Sequence, residues 1–271
     1  NYFSTQEELN MSVYSLYSKV NASQTRTNPK YPQWQGDDIT TNPGSNKQAA
    51  AEIDRFAPVN SNKGVKDCWA DHYAIIKAAN FIILNASKTP TDETSMKQAI
   101  GQAKFWRAYA YFTLVRIFGD IPLTLDNEND DFTMTPSSVE KVYEQIVADL
   151  TSEECESLPE SYKDAPAFMN GVNVYVTKAA WQSTRAAVYM AMAGWPLGKG
   201  ASYYAKAAEE AKKVIEGAQN GTYDIRMDDN YYDVYAMSNN YNKETILGIN
   251  YAPKLDRVHD SQLTSCNQFE S

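Results

Sequence analysis

Cysteine, histidine and positive charge are all scarce in this 271-residue chain, and each scarcity removes a class of chemistry. The three cysteines, Cys68, Cys155 and Cys266, stand far apart with no Cys-x-x-Cys pair. Neither a zinc site nor a disulfide framework is expected from that spacing, and the redox compartment stays open. The two histidines, His72 and His259, have no nucleophile motif beside them, and no G-x-S-x-G, H-E-x-x-H or phosphate-binding glycine loop occurs. An enzyme is therefore not expected; a carboxylate pair for glycoside hydrolysis stays open because such pairs are assembled in space. Lysine and arginine number 25 against 34 aspartates and glutamates, a formal net charge of -9. With no basic stripe, a nucleic-acid backbone or an anionic lipid face would be repelled. No apolar run reaches the roughly 18 residues of a membrane span, and no charged-then-apolar signal segment opens the sequence, which starts at Asn1-Tyr2-Phe3. A targeting segment is expected to have been removed or to lie outside this sequence.

What the chain has in surplus is aromatic: 19 Tyr, 9 Phe and 5 Trp, 12% of all residues. A tyrosine ring offers an apolar face and a hydroxyl, which suits helix packing and suits sugar recognition as well. Hydrophobic residues at 43% and charged residues at 22% are ordinary for a folded protein, organised as one elongated domain or two smaller ones. Helical spacing is clear in several places. Thr5 to Glu8 reads as a capping box, followed by Leu9, Val13, Leu16, Tyr17 and Val20 on one face. From Trp69 a broad apolar face runs to about residue 85, and the second half of a helix over 95–118 is apolar nearly all round, as expected of a helix buried between neighbours. Gly119 and Pro122 end it. Ser137 to Glu140 repeats the capping signature before a regular stripe to Leu150, Thr177 heads a helix to Ala193, and another covers 202–216 and stops at Gly217. Glu244 to Tyr251 reads as the one strand.

The helices come in adjacent pairs, 69–85 with 95–118 and 138–150 with 178–193. Aromatic and alanine contacts between paired helices point to a tetratricopeptide-like solenoid. The expectation is an all-α chain: a helical-pair scaffold over 1–251 with minor β near the C-terminus, and 252–271 as the start of a missing or truncated capping region. Residues 21–66 break the pattern with scattered Pro, Gly, Asn and Asp, and a long irregular insertion is where binding is first sought.

Several segments, in order along the chain, resemble the SusD/RagB family of outer-membrane nutrient-binding lipoproteins. They are Phe3 to Leu9; Gly36-Asp37-Asp38; Trp69, Tyr73, Ile76 and Asn80; Val142-Tyr143 with Ile146 and Asp149-Leu150; and Thr177 to Ala180. The most specific is the block Ala103 to Leu123, AKFWRAYAYFTLVRIFGDIPL. The resemblance implies a tetratricopeptide-like scaffold whose insertions bind oligosaccharide or polysaccharide outside the outer membrane. It also implies a SusC-like TonB-dependent transporter as partner and a lipid anchor upstream of Tyr2-Phe3, a place that none of the three cysteines occupies.

Under that resemblance Tyr31, Trp34, Asp38, Asn46 and Arg55 are the candidate ligand-binding residues, with Asp37 and Asn42 beside them. Rings stack on carbohydrate CH faces, while carboxylates, amides and guanidinium groups bond the hydroxyls. The alternative use of the same groups is local: rings pinning the loop, carboxylates bonding nearby backbone. Phe56 is the only aromatic between Gly36 and Cys68, fewer rings than the resemblance implies for a starch binder, which leaves other glycans or peptides. The acidic run 126–131 lacks the glycine and distal glutamate of an EF-hand, so a solvated linker is expected, with no metal and no cofactor. A helical-repeat scaffold or receptor for peptides or another protein is the competing function.

Overall fold

The computed structural model describes residues 3–24, 40–41, 48–126, 134–164, 175–239 and 242–249. Among the described residues eight α-helices follow one another: α1 Gln6–Gln24, α2 Gln48–Asp54, α3 Lys63–Asn85, α4 Glu93–Phe118, α5 Val139–Leu150, α6 Glu153–Glu156, α7 Lys178–Ala193 and α8 Ala201–Gln219. The chain is all-α as the periodicity indicates. The principal packings are α1 on α3, α3 on α4, α4 on α5 and α6, and α7 on α8. Thus α3 and α4 pair as expected, whereas α5 and α7 do not: α5 lies mainly against α4, and the main partner of α7 is α8.

Helix α4 is the axis of the core. Phe105, Trp106, Ala108, Tyr111 and Leu114 are buried on it from every side, against Leu9 and Leu16 of α1, Ile75, Ile76 and Ile82 of α3, and Ile146 of α5. Its N-terminus is capped by Asp92, whose carboxylate accepts from the Ser95 N–H at 2.8 Å, and it stops at Gly119 with φ 73°. There the chain turns so that Tyr73 donates to the Pro122 carbonyl at 2.8 Å and Tyr111 donates to that of Thr124 at 2.9 Å. Among the described residues most aromatic rings are thus spent on packing. At roughly 25 cal/mol per Å², each fully buried ring of 150–250 Å² contributes about 4–6 kcal/mol before the entropy of ordering it.

Two ion pairs bind the helices together from inside. Arg107 of α4 donates to Asp149 of α5 through Nε at 2.8 Å and Nη2 at 2.6 Å, and through Nη1 to Asn80 of α3 at 2.8 Å. Arg185 of α7 donates to Glu210 of α8 at 2.5 Å and lies 4.2 Å over the Trp181 ring. Trp181 in turn donates to the Leu150 carbonyl of α5 at 2.7 Å.

Five sequence expectations are corrected. The insertion 21–66 contains the helix α2, and α3 begins at Lys63 rather than Trp69, because Asn62 caps it by accepting from the Val65 N–H at 3.1 Å. The cap of α5 is Ser138 rather than Ser137. Gly217 does not stop α8, which runs on to Gln219; a Cβ there would lie 2.4 Å from the Tyr223 ring, so the glycine serves a close contact. Residues 242–249 form no strand. Asn242 accepts from the N–H groups of Glu244 and Thr245 at 3.1 and 3.0 Å, which curls the backbone away from extended pairing. Among the described residues the only β pairing is an isolated bridge between Ile121 and Ser137.

Candidate functional site

Of the five candidate binding residues, Arg55 is described; Tyr31, Trp34, Asp38 and Asn46, with Asp37 and Asn42, lie outside the described residues, as does most of the acidic run, 127–131. Arg55 follows the last residue of α2 and is exposed. The turn that carries it is built by two carboxylates. Asp54 accepts from the Thr41 N–H at 2.9 Å and the Thr40 hydroxyl at 3.2 Å. Buried Glu52 accepts from Asn62 Nδ2 at 2.7 Å, Gln48 Nε2 at 2.8 Å and the Val59 N–H at 3.3 Å. Asn62 also donates to the Ala49 carbonyl at 3.1 Å, so one amide fastens α2 to the start of α3. These bonds, the Asn62 side chain first, hold the Glu52 carboxyl below its ordinary value of 4.5, although burial acts in the opposite sense.

A folded-state value below the unfolded one means that the Glu52 contribution is complete above about pH 4.5 and fades as acid protonates the native carboxylate. Glu52→Gln is expected to be less stable than wild type at pH 7, with the difference shrinking between pH 5 and pH 3. Denaturation midpoints across that range check it; a constant difference would remove Glu52 from the acid response.

A second constellation escaped the sequence reading. A 3-10 helix, Tyr231–Tyr235, carries Tyr231, Tyr232 and Tyr235 at 68%, 81% and 72% exposure. Tyr231 lies 5.4 Å from Tyr235 and 6.1 Å from Tyr232 between ring centroids. Alongside is a polar cleft of about 500 Å³ lined by Arg226, Asp228, Asp229, Asp233, Ser238 and Asn239. Exposed rings beside carboxylates, an amide and a guanidinium are the groups a sugar uses. The run Asp228-Asp229-Asn230-Tyr231-Tyr232-Asp233 was legible as composition, but nothing in it tells exposed tyrosines from buried ones. Arg226 also lines an apolar groove of about 400 Å³ between α8 and residues 225–227 and 243–246, with Val214, Ile215, Ala218, Ile225, Met227 and Ile246 as its apolar lining.

Among the described residues no three His, Cys, Asp or Glu side chains gather as a metal site, and no helix is long and apolar enough to cross a membrane. Cys155 is buried against the Gly101 and Asp149 carbonyls, and burial pushes its thiol up to about 12, far from a nucleophile's range.

Residues 1–190 match the family model SusD-like_3, described as starch-binding associating with outer membrane. The chain belongs to the SusD-like family. SusD-like protein P2 of Formosa agariphila is 32% identical over 206 residues, which are 74% of this chain and 36% of that protein. A SusD homolog from Bacteroides thetaiotaomicron superposes with a TM-score of 0.76 at 24% identity, covering 96% of this chain and 49% of the other. A surface glycan-binding protein A from Bacteroides uniformis gives 0.75 at 19% identity, covering 90% and 52%. At these identities the structures establish the fold. The chain spans between about a third and a half of the length of these SusD-like proteins. The SusD-like match takes in the whole insertion with Arg55, whereas the tyrosine cleft lies beyond residue 190.

Proposed function

We propose that this chain is the helical part of an extracellular glycan-binding protein of the outer membrane. It captures oligosaccharide by stacking and hydrogen bonding, without cleaving it, and passes it to a SusC-like TonB-dependent transporter; a lipid anchor upstream holds it at the membrane. The match of residues 1–190 to a family described as starch-binding and outer-membrane-associated carries this reading. The frame supports it physically. The buried charges Arg107 and Asp149, and Arg185 and Glu210, bond one another, and the insertion, with Tyr31, Trp34, Asp38, Asn46 and exposed Arg55, supplies rings and hydroxyl-binding groups to a ligand.

A second reading, a scaffold for a peptide or another protein, draws support from the apolar groove beside α8, whose lining suits apolar side chains better than sugar hydroxyls. Trp34→Ala separates the two. Under the glycan reading it lowers oligosaccharide affinity about tenfold, the equivalent of about 1.4 kcal/mol, and leaves the melting temperature unchanged. Unchanged sugar affinity, or a fall in melting temperature of the size a core truncation gives, would remove Trp34 from the site.

A further inference from the structure

Where α1 packs on α3, the seam is filled from below by large side chains and left open above by small ones. Leu9, Val13 and Leu16 of α1 and Ile75 and Ile82 of α3 are buried in the core, and side chains of that size set the distance between two packed helices. One step round, α1 presents Ser12, Ser15 and Lys19, and α3 presents Ala74, Lys77, Ala78 and Phe81. Each set has the spacing of a single helix face. The serines and alanines are too short to close the gap. Together with Lys19, Lys77 and Phe81 they line a trough of about 380 Å³, within the range of small-molecule sites.

The charge of this trough runs against that of the chain. Acidic residues outnumber basic ones by 34 to 25 overall, yet two lysines and no carboxylate stand among the described lining residues. The polar cleft beside the tyrosines carries three aspartates, and the apolar groove beside α8 carries Glu244. Elsewhere Lys63, Lys97, Lys104, Lys178 and Lys199 each hold a carboxylate. Lys19 enters no ion pair among the described residues. Two ammonium groups on facing helices repel each other across one trough, and an anion between them relieves the repulsion. The remaining lining favours more than a bare ion. Ser15 is exposed and adds a hydroxyl, while Ala74 and Ala78 form an apolar floor. Phe81, 39% exposed and with its ring centroid 5.1 Å from that of Phe3, ends the trough with a fixed apolar wall.

We propose that the trough between α1 and α3 binds an acidic saccharide unit, a sugar ring bearing a carboxylate or a sulfate. Lys19 and Lys77 hold the anionic group, Ser15 bonds a hydroxyl, and Ala74, Ala78 and Phe81 take the CH face. This site belongs to the helical frame and is separate from the insertion. The proposal rests on the glycan reading above and narrows the ligand to anionic oligosaccharides. Lys19→Gln and Lys77→Gln are each expected to weaken an acidic oligosaccharide about tenfold, the loss of one charge-assisted hydrogen bond. Both lysines are exposed, so neither change disturbs the core. Lys141→Gln removes the same charge from an exposed position on α5 that lines no part of the trough, and is expected to leave the affinity unchanged.

The test is calorimetric titration of the whole chain and these three variants with galacturonate oligosaccharides, sulfated galactan oligosaccharides, neutral malto-oligosaccharides of matched length, a glutamate-rich peptide and sodium sulfate. Binding of an acidic oligosaccharide that weakens in both trough variants, holds in Lys141→Gln and falls with added salt is the expected result. Acidic binding that survives both trough variants, or that falls equally in Lys141→Gln, overturns the trough as its site. Binding of neutral sugar alone overturns this proposal and leaves the glycan reading standing. Sulfate or the acidic peptide bound as tightly as the acidic oligosaccharide overturns the saccharide assignment. No binding of any sugar by wild type overturns the glycan reading, and this proposal with it.

Discussion

Arg107→Ala is expected to destabilise the protein by about 3–5 kcal/mol, enough to lower the melting temperature by roughly 10 °C in a chain of this size. Arg107 and Asp149 are 6% and 3% exposed at their side chains. Removing the guanidinium leaves a carboxylate in the interior with only Gln145 Nε2, at 3.0 Å, as a remaining side-chain donor. Asn80 loses the donor at its oxygen at the same time, while its amide still donates to the Thr124 carbonyl at 2.9 Å. Three helices and the turn after α4 therefore loosen together. Replacing both charges, as in Arg107→Met with Asp149→Leu, is expected to recover much of the loss, because an apolar pair of similar volume carries no uncompensated charge. A double-mutant cycle in urea measures the coupling, and a loss below about 1 kcal/mol for Arg107→Ala would show that water reaches Asp149 in place of the guanidinium.

Gly101→Ala is expected to cost about 2–3 kcal/mol, the upper part of the range for overpacking a tight contact. In an exposed helix the change would stabilise by about 1 kcal/mol, since alanine is the better helix former. Here a Cβ on Gly101 would lie 2.3 Å from the Glu154 carbonyl oxygen and 2.9 Å from its carbon. The obstacle is backbone and cannot swing aside, so α4 and α6 must separate. That separation strains the Lys104–Glu154 ion pair at 2.6 Å and the contact of Cys155 Sγ with the Gly101 carbonyl at 3.6 Å. Chemical denaturation of the single variant decides between the two effects: steric conflict predicts destabilisation, and a neutral or more stable variant would mean that α6 gives way freely.

The helical frame was legible because its apolar spacing is long and regular, as in Val142, Tyr143, Ile146 and Leu150 of α5, all buried in the structure. The helix α2 was hidden because seven residues carry too few apolar positions to show a period, and its stability comes from Asn62, Glu52 and Asp54 acting across the chain. Over its described part, 244–249, the strand expected at 244–251 is not formed, because Ile246, Leu247 and Ile249 have strand-like composition but pack half-buried against the helical core, while Asn242 takes the backbone donors a strand would need. Gly217 was read as a helix stop because glycine commonly stands there, yet its small size serves Tyr223. Of the candidate binding residues Arg55 is exposed at the end of α2, as its charge and its place in the insertion suggest. The three tyrosines at 231–235 were missed because exposure is a property of the folded surface, and their spacing fits a packed helix equally well.

Calorimetric titration of the unmodified chain against parallel panels of oligosaccharides and short peptides separates a glycan binder from a peptide scaffold. A glycan binder gives saturable heat with at least one oligosaccharide class, competed by the same free sugar. Saturable binding of peptides, with no heat from any sugar, would contradict the glycan reading.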